Sequence, residues 1–252
     1  MKKIRIIPRL DIKGPNIVKG IHMEGLKVIG NPPEIARRYY DAGADELLYM
    51  DIVASLYGRG INVELVKSVA REIFIPLTVG GGIQSIHDIN NVLHAGADKV
   101  AINTFAVGHP EMLQDAVRQF GSQCIVLSIE AKKSPAGTWE VYTDGGREHT
   151  GLDVVEWAKK GLSFGIGEIL ITSVDNDGTR KGYDNELIQA LELISPVPVI
   201  ACGGAGSMDS VKSVLQQNAI DGIAMATALH YADYSIHDLK KYLYDANFPI
   251  RI

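Results

Sequence analysis

Short apolar runs alternate with longer amphipathic stretches from one end of the chain to the other. The apolar runs are IRIIPRLD (4–11), ELLYMD (46–51), PLTV (76–79), KVAIN (99–103), CIVLSIE (124–130), EILITS (168–173), PVIAC (198–202) and GIAMA (222–226). They are rich in Ile, Val and Leu at consecutive positions, the pattern of parallel strands covered on both faces. Between them, residues 32–42, 61–72, 85–95, 110–119, 152–164, 184–194, 208–218 and 236–245 carry apolar residues at helical spacing. Asn31 before Pro32 reads as a helix start. Glycine-bearing turns such as AGADEL, AGADKV and FGIGEI read as helix ends.

Eight strand–helix units in 252 residues predict an α/β fold, a (β/α)8 TIM barrel forming one domain over 1–252. A doubly wound open sheet is the competitor, but no G-x-G-x-x-G follows the first strand. Residues 133–149, KSPAGTWEVYTDGGREH, read as a hairpin inserted after the fifth strand.

The two halves echo one another. IIPRLDIK (6–13) echoes VLSIEAKK (126–133), and at an offset of 119 residues Asp11 and Glu130 correspond. LLYMDIVAS (47–55) resembles ILITSVDNDGT (169–179), VGGGIQS (79–85) matches ACGGAGS (201–207), and KVAINTFA (99–106) matches GIAMATAL (222–229). A repeat of nearly half the chain predicts a duplicated half-barrel with a pseudo-twofold axis.

Charge and cysteine content narrow the function classes. A net charge of −5 gives no reason to expect nucleic acid or an anionic membrane as partner. The N-terminal stretch MKKIRIIPRLDIKG is too short in its apolar part, and too interrupted by charge, for a signal peptide or a membrane span. Cys124 and Cys202 sit in apolar runs and read as reduced core thiols of a cytoplasmic protein, not as a disulfide or a metal site.

In a barrel of this kind the active site lies at the C-terminal ends of the strands. Asp11 ends the first strand and Glu130 the fifth, so two carboxylates face each other across the mouth, the requirement for a general acid and a general base. Either alone would read as a strand end meeting water; the repeat relation favours chemistry. Glycine clusters end strands three and seven, and small polar residues end strands four and eight. Glycine lets backbone N–H groups approach an anion closely. The expected phosphate sites are Gly81, Gly82, Asn103 and Thr104 on one side and Gly203, Gly204 and Thr227 on the other, with Asp177 and Gly178 adding a loop to the second. The pairing suits a ligand with a phosphate at each end. At the opposite face Arg5, Glu46, Lys99 and Glu168 begin strands one, two, four and six. Charges there ordinarily form a stabilising plug; alternating signs would also allow a closed salt-bridge ring that gates a passage through the barrel.

With these residues in view, the whole chain closely resembles the HisF family, the cyclase subunits of imidazole glycerol phosphate synthase. The resemblance rests on IIPRLDIK, IVKG, ADELLYMDI, LTVGGGI, GADKVAINT, FGSQ, GEILITS, DGT, GYD and ACGGAG. It implies a HisH-like glutaminase partner that releases ammonia at the barrel bottom. The ammonia passes the ring of Arg5, Glu46, Lys99 and Glu168 and attacks phosphoribulosyl formimino carboxamide ribonucleotide (PRFAR), a substrate with two phosphates. The products are imidazole glycerol phosphate and aminoimidazole carboxamide ribotide (AICAR). No cofactor or metal is expected. By resemblance Asp11 is the first catalytic carboxylate, Lys19 belongs to a mobile cover over the site, and Asp98 lies at the partner interface.

Two positions depart from the family pattern. Glu130 stands where the family keeps an aspartate, and Arg9 where it often has cysteine. A cation at position 9 could lower the pKa of a neighbouring carboxylate or contact phosphate. With LYMDIVASLYGRG and SIEAK, these changes resemble a divergent HisF-like branch associated with amidation of bacterial surface sugars. The expectation from that branch is an ammonia-conducting subunit serving a sugar amidotransferase, with weak or no cyclase activity. The related phosphoribosyl isomerase uses two opposed acids in the same fold, but the charged ring together with GADKVAINT and FGSQ fits HisF better.

Overall fold

A computed structural model describes residues 3–252; the first two residues of the basic start, Met1 and Lys2, lie outside the described residues. In chain order the elements are β1 (Arg5–Lys13), β2 (Asn16–Ile21), β3 (Glu24–Gly30), α1 (Pro32–Asp41), β4 (Leu47–Asp51), α2 (Val63–Ala70), β5 (Leu77–Gly80) and α3 (Ile86–His94). They continue with β6 (Lys99–Ile102), α4 (Thr104–Gly108), α5 (Glu111–Phe120), β7 (Ile125–Lys133), β8 (Trp139–Thr143), β9 (Glu148–Asp153) and α6 (Val154–Ser163). The last are β10 (Glu168–Ser173), α7 (Asn185–Glu192), β11 (Val199–Cys202), α8 (Met208–Gln217), β12 (Gly222–Met225), α9 (Thr227–His230) and α10 (Ile236–Asp245).

Eight strands pair in parallel and close on themselves in the order β1, β4, β5, β6, β7, β10, β11, β12 and back to β1. They are the eight apolar runs. Along β1, Ile6, Leu10 and Ile12 face the helices, while Ile7 belongs to the interior cluster with Leu48, Met50, Ala101, Val126, Leu170, Ile200, Cys202 and Ala224. Burying side chains of this size contributes about 1.5–3 kcal/mol each, and the barrel does so on both faces of its wall.

The helix starts follow the local chemistry. Asn31, Asn62, Ser85, Asp153, Asp184, Ser207 and Ser235 each cap a helix, the side chain accepting a backbone N–H two or three residues on. A second device pins the strand starts. The backbone N–H groups of Asp45, Asp98 and Asp221 donate to Ile6 O, Leu77 O and Val199 O. Their carboxylates accept the backbone N–H groups of the same three residues at 2.8, 2.8 and 3.0 Å. The acidic residue in GADEL, GADKV and AIDGI is thereby a staple between neighbouring strands.

The duplication extends to features the sequence pattern did not predict. β1 and β7 both run past the rim and continue into an antiparallel hairpin, β2–β3 in one half and β8–β9 in the other. The second is the hairpin expected over 133–149; the first is not predicted by the sequence pattern. Short helices α4 and α9 follow the fourth and eighth barrel strands at Thr104 and Thr227. Cys124 corrects another expectation: it lies half-buried in a single 3-10 turn before β7, while Cys202 is buried in β11, and both are free thiols. Among the described residues no helix is long and apolar enough to cross a membrane.

Candidate active site

The hairpin β2–β3 lies over one side of the barrel mouth. Its turn is His22–Met23, both with left-handed backbone (φ 52° and 62°), a conformation that costs these residues energy and needs compensation. Compensation comes from Met23, which is buried, from the His22 N–H donating to Asp177 O at 2.9 Å, and from His22 Nδ1 lying 3.0 Å from Val174 O. The fold carries Lys19 inward, leaving it only 3% exposed. Its Nζ donates to Asp11 Oδ2 at 2.8 Å and to Asp177 Oδ2 at 2.7 Å.

Asp11 therefore has two cationic neighbours. Arg9 Nε donates to its other oxygen, Oδ1, at 2.7 Å. Burial alone would raise the Asp11 carboxyl, but Arg9 and Lys19 together outweigh burial and hold it well below the usual carboxylate range. With both cations in place Asp11 is an anion at any working pH.

Glu130 is built differently. It is buried at the end of the barrel section of β7, and its Oε2 accepts the Gly146 N–H of the β8–β9 turn at 2.9 Å. Burial pushes its pKa up from 4.5 to about 7; Arg9 and the Gly146 N–H pull the other way but are outweighed. Two carboxylates at repeat-related positions thus differ in kind: one is permanently charged, the other poised to gain or lose a proton near neutrality.

Flanking these acids are the two glycine cradles. Gly81, Gly82, Asn103 and Thr104 line a cavity of about 210 Å³ together with Arg9, Glu130 and Asp144. Asp177, Gly178, Gly203, Gly204 and Thr227 line a much tighter one on the other side. Gly81 and Gly203 are equivalent in the repeat and face the same constraint: a Cβ would lie 2.1 Å from Asp51 O in one and 2.4 Å from Ser173 O in the other. Both have φ near +92°, where glycine is the comfortable residue. Asn103 Oδ1, Ser173 Oγ and Thr227 Oγ1 are buried with no hydrogen-bond partner among the described residues. The Asp177 carboxylate, on the loop expected to add to the second cradle, is engaged by Lys19.

At the barrel bottom the four charges close into a ring. Arg5 donates to Glu46 at 2.6 Å and to Glu168 at 2.5 Å; Lys99 donates to Glu46 at 3.1 Å and to Glu168 at 2.8 Å. Thr78 Oγ1, which was not singled out in the sequence, donates to Glu46 at 2.6 Å. Asp98 is exposed at this face, with its carboxylate on the Leu77 N–H.

Several contributors carry no signal in the sequence. Thr172 and Cys202 receive Arg9 Nη1 at 3.1 and 3.4 Å. Arg147 reaches Met23 O at 3.4 Å and ties the two hairpins together. His230, behind Arg9, sits 2.7 Å from Tyr39 Oη, and burial lowers its pKa to about 4.

The fold and site define a class: a two-half barrel with unlike acids at the mouth, a glycine cradle on either side, and a charged ring at the base. A model of the family described as "Histidine biosynthesis protein" matches residues 5–235. Three relatives named "Imidazole glycerol phosphate synthase subunit HisF" are also similar. That of Legionella pneumophila is 59% identical over 209 residues, 83% of this chain and 99% of the relative. Those of Helicobacter hepaticus and Streptococcus sanguinis are 48% and 45% identical over 98% and 100% of both chains. The chain belongs to the HisF family of imidazole glycerol phosphate synthase subunits.

Proposed function

We propose that this barrel is the cyclase subunit of imidazole glycerol phosphate synthase and converts PRFAR and ammonia to imidazole glycerol phosphate and AICAR. The observation that carries the reading is the unlike pair Asp11 and Glu130 between two glycine cradles. Addition of ammonia to the formimino carbon needs a base to take a proton from the attacking nitrogen and an acid to protonate the departing amine. Asp11 is ionised and suits the first task once Lys19 withdraws and frees its Oδ2, because a carboxylate held by both cations is too weak a base to accept a proton. Glu130, titrating near neutrality, suits the second and can return its proton later. The unpartnered Ser173 and Thr227 hydroxyls, free to donate, support phosphate capture on the Gly203 side of the mouth.

In this reading Lys19 covers the site and must leave Asp11 and Asp177 for the substrate to span the mouth. The ring of Arg5, Glu46, Lys99 and Glu168 is the entry for ammonia from a glutaminase subunit. Exposed apolar residues on the loops at that end, Phe74 and Leu193 (both 82% exposed), support a docked partner there, and Asp98 lies on the same face. A cytoplasmic location goes with this role. The test is to mix the purified barrel with PRFAR and ammonium at alkaline pH and follow loss of the substrate's absorbance. Turnover is expected; a folded barrel with none refutes the reading.

A further inference from the structure

Arg9 leaves β1 at its third interior position, above Arg5 and Ile7, and crosses the barrel. Nε is spent on Asp11 of its own strand, while Nη1 reaches Thr172 on β10 and Cys202 on β11. β12 stands between β1 and β11, so the side chain spans the interior instead of following the wall. It is 1% exposed and lines the same cavity as Glu130. The layer below is packed with Ile7, Leu48, Val126 and Leu170. Any of these types would fill the space at position 9 without the cost of desolvating a guanidinium. A charge placed here acts on other charges.

The groups within its field are few. Asp11 faces Arg9 on β1, Lys19 on β2 and His230 on α9, with Asp177 behind Lys19. Glu130 faces Arg9 and Asp11 from β1, and Asp144 with the Gly146 N–H from the β8–β9 turn. Both cations touch Asp11, whereas Glu130 accepts one backbone N–H.

We propose that Arg9 is a positioning residue that, anchored on Thr172 and Cys202, fixes Asp11 as a hydrogen-bonded anion and sets the electrostatic field at Glu130 across the cavity they share. The inference rests on the acid–base reading of the site and adds to it a residue that acts through Asp11. Arg9 is the strongest influence opposing burial at Glu130. Its removal raises the Glu130 pKa further.

The test titrates Glu130 directly, without substrate. The infrared band of its protonated carboxyl, assigned by its loss in Glu130→Gln, is followed from about pH 5 to about pH 9. Arg9→Gln, neutral but still able to hydrogen-bond, is expected to raise the midpoint by about 1 pH unit or more, and Arg9→Lys to leave it within about half a unit. Arg9→Met serves as the neutral variant if the glutamine form does not fold. The Glu130 limb of the kcat/KM profile is expected to move with the midpoint in the same variants. A midpoint unchanged in the neutral variant, or moved equally by lysine, overturns the proposal. Because the titration needs no turnover, a barrel that shows the shift but never cyclises PRFAR loses the cyclase reading and keeps the division of charge.

Discussion

Replacing Glu130 with glutamine should make the protein more stable, and only on the alkaline side. Glu130 is a buried acid whose folded pKa is raised from 4.5 to about 7. Folding therefore favours its protonated form. Below about pH 4.5 the carboxyl is protonated in both folded and unfolded chains, and no penalty exists. Between about pH 4.5 and about pH 7 the unfolded chain sheds the proton and the folded one resists, so stability falls as pH rises. Above about pH 7 the cost is complete: a span from 4.5 to about 7, at 1.36 kcal/mol for each tenfold, is about 3 kcal/mol. Glutamine keeps the shape, can still accept the Gly146 N–H, and never ionises. The assay is thermal unfolding by circular dichroism of both proteins across this range. Their difference cancels every other titrating group. It is expected to grow through the window and to reach about 6–12 °C in favour of Glu130→Gln above pH 7. A constant difference, or one favouring the wild type at alkaline pH, refutes the environment assigned to Glu130.

Two further outcomes follow from the ion pairs. Lys19→Met leaves Asp11 and Asp177 without their shared cation; the β2–β3 hairpin should open and be cut by protease about tenfold faster or more, with the far-UV spectrum unchanged. Equal cleavage rates would contradict a hairpin held by Lys19. Glu46→Gln sets Arg5 and Lys99 against Glu168 alone; because those cations are 23% and 19% exposed, the expected loss is about 2–4 kcal/mol, below that of a fully buried pair, lowering Tm by about 5–15 °C. A drop under about 2 °C would show that the ring contributes little.

The barrel was legible because its strands are buried on both faces, and that burial writes itself as consecutive apolar residues. Asp11, Glu130 and both glycine cradles were legible because the repeat marked corresponding positions, and the ring because its four charges begin barrel strands. The β2–β3 hairpin was not, because its turn uses His22 and Met23 where left-handed backbone ordinarily announces itself with Gly or Asn. Helices α4 and α9 were hidden because four or five small and apolar residues continue the pattern of the preceding strand. Arg9's partners depend on cross-barrel distances and the Gly146 N–H on Glu130 on how the β8–β9 turn folds back, and no local pattern encodes either. The staple at Asp98 shows the converse: a residue expected from resemblance at a partner interface also does a job within its own chain.

The duplicated architecture has a consequence for symmetry. In a closed twofold assembly of two identical half-barrels, any cation beside one carboxylate stands beside the other as well, and the two acids titrate as equals. One chain carrying both halves escapes that rule. The repeat that aligns Asp11 with Glu130 aligns Arg9 with Ser128, a buried neutral residue. Joining the halves is what allowed position 9 to gain a charge that position 128 lacks, and so allowed two equivalent strand ends to take opposite parts in one proton-transfer sequence.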